Sequence, residues 1–268
     1  MHKIVRSLFA ILLLCCASSA ALAKEVTVMI SGGFKAALEK LAPQFEASSG
    51  DKITLVAGPS MGKTPQAIPS RLARGEKADA VIMVGDALEN LEKDRRIRPH
   101  SRVELADSPI GMVVKQGDAP PEIKTDAQLR HTLLNARSVA YSDSASGRYV
   151  SSQLFKKLGI EQEMKEKAHQ VERIPVASEV AKGHYALGFQ QVSELLPVAG
   201  ITFVGELPDN VQYITRFAGA VTANAQHPQE GKALLEFLSS AAAQKVIHAS
   251  GMRSVKSEQR LRASDTVQ

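Results

Sequence analysis

Three short segments carry the same kit of serine, glycine and a cation: Ser31-Gly32-Gly33-Phe34-Lys35, Ser60-Met61-Gly62-Lys63-Thr64 and Ser144-Ala145-Ser146-Gly147-Arg148. Each follows a short apolar run and precedes a helical pattern, so each reads as a strand-to-helix turn. A helix N-terminus offers unpaired N–H groups and a positive dipole end, glycine lets a ligand approach the backbone, and a serine hydroxyl adds a donor. Such a turn is a cradle for an anion. Ordinary capping is about three times the commoner explanation of Ser and Gly at any one turn, but three such turns weaken that explanation.

Two amides, Gln190 and Gln191, stand at the end of an apolar run (186–189), where they would orient a polar ligand. Loop amides without a ligand are about as common. Residues 57–64 satisfy a loose phosphate-binding-loop pattern, but Pro65 follows at once and no magnesium-binding acid is correctly placed, so nucleotide hydrolysis is not expected. A nucleophile elbow is missing, since Ser146 lies in S-A-S-G-R, and no histidine is placed for a triad. Asp79, near the start of the run 78–84, reads as a solvated acid at a strand edge.

Lys3 and Arg6, an apolar run from Leu8 to Ala17 and the small-x-small site Ala21-Leu22-Ala23 form a secretory signal peptide, with cleavage expected before Lys24. A lipoprotein anchor at Cys15 or Cys16 is the rival reading. Cleavage removes two of the 33 Lys and Arg that face 28 Asp and Glu, leaving a net charge of about +3 and no cysteine. An exported, periplasmic location follows, and cysteine-based zinc sites are excluded. The six remaining histidines (100, 131, 169, 184, 227 and 248) are far apart, so no metal site is expected. Low charge and 4% aromatic content argue against nucleic acid. No later stretch reaches the roughly 18 apolar residues of a membrane span.

The elements that must position the three turns alternate in an α/β pattern. Strands are expected at 25–30, 52–57 and 78–84, with helices at 33–48, 66–74 and 86–93. Pro43 and Pro69 should kink two of these helices or shift their starts. From Ser108-Pro109 the character changes. The run 110–115 is a candidate crossing between lobes, followed by helices at 125–136, 147–158 and 177–182 and strands at 138–141, 171–175 and 186–190. A helix pair opening at 228–240 should pack back on the first lobe. The expected division is a signal peptide at 1–23, lobe 1 at 24–111 plus 216–268, and lobe 2 at 112–215.

Ser31-Gly32 after the first strand, Gly58-Pro59-Ser60 after the second, G-E-K-A-D-A-V-I at 75–82 and Gly188-Phe189-Gln190-Gln191 together resemble periplasmic solute-binding proteins of the molybdate-binding type. The resemblance spans nearly all of 24–255. It implies an α/β, type II periplasmic-binding-protein-like fold, with two lobes hinged around a small anion. It also implies an oxyanion held by neutral donors: hydroxyls matching Ser31 and Ser60, and backbone N–H groups near Ser146 and Ser178. A family tyrosine falls at Gln191, which is a departure.

The cations are a second departure. Lys63 and Arg148, with Lys35 beside them, would suit separated carboxylates better than a compact oxyanion, because arginine presents a planar fork to carboxylate. Lys35 alone reads as facing solvent. This pattern is similar to the related aconitate isomerases, which are exported and cofactor-free. The binding set expected is therefore Ser31, Gly32, Ser60, Met61, Lys63, Ser146, Arg148, Gln190 and Gln191. Lys63 is the candidate for proton transfer, its pKa lowered if it lies beside Arg148. No cofactor is implied, and a monomer is expected. The alternative is a non-catalytic receptor for molybdate, tungstate or an organic anion, delivering to an ABC transporter permease.

Overall fold

The computed structural model describes residues 23–255, so the signal peptide, its cleavage region before residue 23 and the Cys15-Cys16 pair lie outside the described residues. Two five-stranded sheets organise the chain. The first takes β1 (Glu25–Ile30), β2 (Lys52–Ala57), β3 (Ala80–Val84), β4 (Val103–Ser108) and β10 (Thr215–Val221), in the order β2-β1-β3-β10-β4. The second takes β5 (Ile110–Lys115), β6 (Val139–Ser142), β7 (Ala168–Val171), β8 (Leu187–Gln191) and β9 (Ile201–Glu206), in the order β7-β6-β8-β5-β9. In each sheet four strands run the same way and one, β10 in the first and β5 in the second, runs against both its neighbours. The architecture is the two-lobe α/β fold expected.

Helix α1 (Gly32–Ser49) forms because Phe34, Ala37, Leu38, Leu41 and Phe45 recur at helical spacing and are buried. They share a core with Val26, Val28 and Ile30 of β1. Pro43 does not break α1. Leu234, Leu235 and Leu238 of α9 (Pro228–Leu238), with Ile247 of α10 (Ala241–Ala249), close the same core, so the C-terminal helix pair packs on the first lobe. Each such side chain contributes roughly 1.5–3 kcal/mol when fully buried. Helix α2 (Ile68–Ala73) starts later than the pattern 66–74 predicts, because Pro69 takes the first turn, the one place where its missing N–H costs nothing. Helix α3 is Gly85–Lys93.

In the second lobe α4 (Asp126–Asn135) opens on a capping box between Thr125 and Gln128. Helix α5 (Ala145–Tyr149) continues through a π-helical stretch (Val150–Leu154) and a last turn (Phe155–Lys157). Short helices α6 (Glu161–Met164), α7 (Val176–Ala181) and α8 (Val192–Leu195) follow. The strand expected at 171–175 lies earlier, at β7, because its pairing with β6 ends at Val171. Asp79 is not a solvated acid. It is 3% exposed, and its carboxylate accepts the N–H groups of Thr27 (2.9 Å) and His227 (2.6 Å). Among the described residues no helix is long and apolar enough to cross a membrane.

The chain passes between the lobes at Ser108-Pro109-Ile110 and again between β9 and β10. Gln212 ties the two passages together. Its Oε1 accepts the Ile110 N–H at 2.9 Å, and its Nε2 donates to the Ile110 carbonyl at 3.0 Å.

Candidate functional site

A cavity of about 550 Å³ lies between the lobes, within the size range of small-molecule sites. The first lobe lines it with Ser31 to Gly33, Lys35 and the loop after β2. The second lobe lines it with Asp143 to Ala145, Arg148, Arg173 to Pro175, Gln190, Gln191, Ser193 and Glu194. The α/β periodicity puts these residues there, since all but a few stand at strand ends or helix starts.

Ser31 is the N-cap of α1, yet its hydroxyl makes no capping hydrogen bond. The side chain is buried, and its Oγ has no partner within the protein. Capping therefore does not explain Ser31, and a buried hydroxyl without a partner at the edge of a cavity is poised for a ligand. Ser60 plays a different part: its Oγ accepts the Val84 N–H at 3.0 Å, which fixes the loop and leaves its own proton to donate.

The second turn does not have the predicted form. No helix starts at Gly62-Lys63-Thr64; residues 58–67 form an irregular loop, and α2 begins only at Ile68. Gly62 and Thr64 line the cavity, but Lys63 is exposed and is not among the lining residues. Pro65 and Pro69 keep this stretch from becoming the helix N-terminus that the motif requires.

At the third turn α5 starts at Ala145 with Ser144 as its N-cap, so Ser144 and Arg148 line the cavity while Ser146 is buried beneath them. Ser146 Oγ joins a cluster with Ser142 Oγ at 3.1 Å and Ser144 Oγ at 3.3 Å. Gly147 permits this tight turn, because a Cβ there would collide with the Ser142 carbonyl. Arg148 reaches across the cleft to the thioether of Met61. A thioether is a weak acceptor, and among the described residues Arg148 has no ion pair.

Gln190 and Gln191 are both buried and both line the cavity. Gln190 Oε1 accepts the Val176 N–H at 3.0 Å, at the start of α7 near Ser178. Gln191 Nε2 donates to Thr215 Oγ1 at 2.9 Å, and its buried Oε1 has no partner. Lys35 lines the cavity rather than standing clear of it, and is paired with Glu39 at 2.6 Å.

Two residues that sequence reasoning missed complete the set. Arg173 lines the cavity with a left-handed backbone (φ 64), a conformation rare outside glycine that is worth noting where it coincides with a site. Glu194, in α8, lies against the backbone of Gly32. Burial pushes its pKa up to about 7, against the Gln190 hydrogen bond and with help from the negative Asp143. The spacing of Gln190 and Glu194, four residues apart, is the only sequence signal for this pair.

The family model described as bacterial extracellular solute-binding protein matches residues 26–253. The chain is 45% identical over 233 residues to a Pseudomonas sp aconitate isomerase, covering 87% of this chain and 89% of that one. It is 26% identical over 244 residues to a molybdate-binding protein of Azotobacter vinelandii, covering 89% and 92%. Among solved structures, the Azotobacter vinelandii periplasmic molybdate-binding protein superposes with a TM-score of 0.71 at 18% identity, covering 86% of this chain and all of that one.

Proposed function

The chain belongs to the bacterial extracellular solute-binding protein family, and on that premise we propose that it is a periplasmic enzyme that clamps trans-aconitate between its lobes and isomerises it to cis-aconitate. The observation that carries this reading is the pair of second-lobe arginines, Arg148 and Arg173, which line the cleft without an ion pair among the described residues. A compact oxyanion needs only neutral dipoles around one point. Two arginines at separate positions of the lining, with a buried hydroxyl at Ser31 in the same cavity, suit a ligand whose carboxylates are spread over a carbon frame. The 45% identical relative, named for aconitate isomerisation, supports the same substrate class.

The reaction is an allylic proton shift. A base removes a proton from the methylene carbon, the double bond moves one carbon along, and a proton is delivered to the former vinyl carbon. The intermediate carbanion is conjugated with carboxylate, so donors and cations around those carboxylates stabilise charge as it develops.

Proton NMR of trans-aconitate in D₂O with the purified mature protein, followed over time beside a heat-inactivated sample, tests this reading. Growth of cis-aconitate signals with loss of methylene intensity is the expected result. Unchanged signals with tight molybdate, tungstate or organic-anion binding would turn the reading to a transport receptor serving an ABC permease.

A further inference from the structure

The proton shift needs one group in the cleft that both accepts and returns a proton. Among the described residues that line the cavity, the charged groups are Lys35 and Glu39 from α1, Asp143 and Arg148 beside β6, Arg173 before α7, and Glu194 in α8. Arginine side chains do not act as bases. Lys35 and Glu39 neutralise each other at 2.6 Å. Asp143 is exposed, and no hydrogen bond among the described residues orients its carboxylate. Glu194 is half-buried and held against the α1 N-terminus at Gly32, next in sequence to Ser31 with its unpartnered hydroxyl.

We infer that Glu194 carries the proton between the two ends of the substrate's allyl unit, an inference that rests on the isomerase reading above. Its carboxylate takes the methylene proton as the C–H pair becomes the new C=C bond. The electrons of the old double bond move to the far carbon, and the same carboxyl returns the proton there. Nothing else is consumed.

A carboxyl in this position is otherwise a handicap. A protein that only captures anions loses affinity by placing a negative group against its own cradle, whereas an isomerase requires a base there. The first turn of α1 favours an anion, so the ionised Glu194 is held where it can meet the substrate. Burial raises its pKa to about 7, so it exchanges protons readily at neutral pH. Gln190, whose Oε1 is bonded to the Val176 N–H, keeps its amide N–H groups for the Glu194 carboxyl, where they favour the ionised form.

The test compares wild type, Glu194→Gln, Glu194→Asp and Lys63→Met in the D₂O assay, with trans-aconitate binding measured by calorimetry and folding by thermal melting. Glu194→Gln should bind trans-aconitate but lose turnover by about 100-fold or more. Glu194→Asp should keep part of it, and Lys63→Met should keep nearly all. The wild-type rate should show an acid limb near neutral pH that is absent from the residual Glu194→Gln rate. Retention of more than a tenth of wild-type turnover by Glu194→Gln, parallel loss of its binding, or a larger loss in Lys63→Met would each overturn the role of Glu194 while leaving the isomerase reading intact. A wild type without turnover would sink both.

Discussion

The Oε1 atom of Glu194 occupies the space that a β-carbon on Gly32 would need, so α8 of the second lobe meets the first turn of α1 through a carboxyl resting on bare backbone. Gly32→Ala therefore acts at the site rather than on the fold. Alanine is the better helix former by up to about 1 kcal/mol, so the melting temperature should change little. The carboxyl must shift by about 1 Å, and misplacement of that size costs up to roughly 100-fold in rate. Steady-state kinetics should show kcat reduced by 10- to 100-fold with binding much less affected, and an unchanged kcat would separate Gly32 from the chemistry.

Glu194 also makes stability depend on pH in a defined direction. Its ordinary pKa of 4.5 rises to about 7 in the fold, chiefly through burial. Below about 4.5 it is protonated whether folded or not, and contributes no difference. As pH rises from 4.5 to 7, the unfolded chain releases this proton while the folded chain retains it, so stability falls. Above 7 the penalty is constant, at roughly 3–4 kcal/mol at most. Glu194→Gln removes this dependence: the variant should gain thermal stability relative to wild type between pH 4.5 and 8. A difference that does not grow with pH would contradict the buried carboxyl.

Sequence periodicity made the first lobe readable because β1 and α1 bury what their patterns say they bury, from Val26 to Phe45. Strands β4 and β10 were missed because their stability comes from neighbours: Val103–Ser108 contains two acids and pairs only with β10, while Thr215–Val221 is rich in small residues and is held between β3 and β4. Ser31 was legible as a cavity-lining residue from Ser-Gly after a strand. Lys63 was legible as a cation but not as one outside the cavity, since that depends on two prolines delaying α2. Glu194 reads locally as an ordinary acid in the first turn of a helix. Only the tertiary approach of α1 turns it into a cleft group, and no local spacing encodes that approach.

The two hydroxyls of the first lobe should part company under substitution. Ser31 Oγ has no partner within the protein, so Ser31→Ala removes a buried unsatisfied group and should leave stability equal or higher, while weakening trans-aconitate binding by about 5- to 10-fold. Ser60→Ala instead orphans the Val84 N–H and should cost about 1–3 kcal/mol in denaturant unfolding. If Ser31→Ala proves the more destabilising of the pair, its hydroxyl is structural and not held for a ligand.

Arg148 and Arg173 should contribute binding energy more than fold stability, because among the described residues neither is locked in an ion pair. Hydrogen bonds to charged groups are worth about 1.5–3 kcal/mol, so loss of either guanidinium should weaken trans-aconitate binding by roughly 10- to 100-fold. Arg148→Lys keeps the charge but not the planar fork, and should recover only part of the loss relative to Arg148→Met. At Arg173 the left-handed backbone adds a second effect: Arg173→Gly relieves the strained conformation (φ 64) and should raise the melting temperature even as affinity falls. Salt should weaken wild-type binding more steeply than that of either variant, since screening acts on the charge each variant has lost. Calorimetric titrations at two ionic strengths would measure both slopes; equal slopes in wild type and variants would place these arginines outside the ligand's contacts.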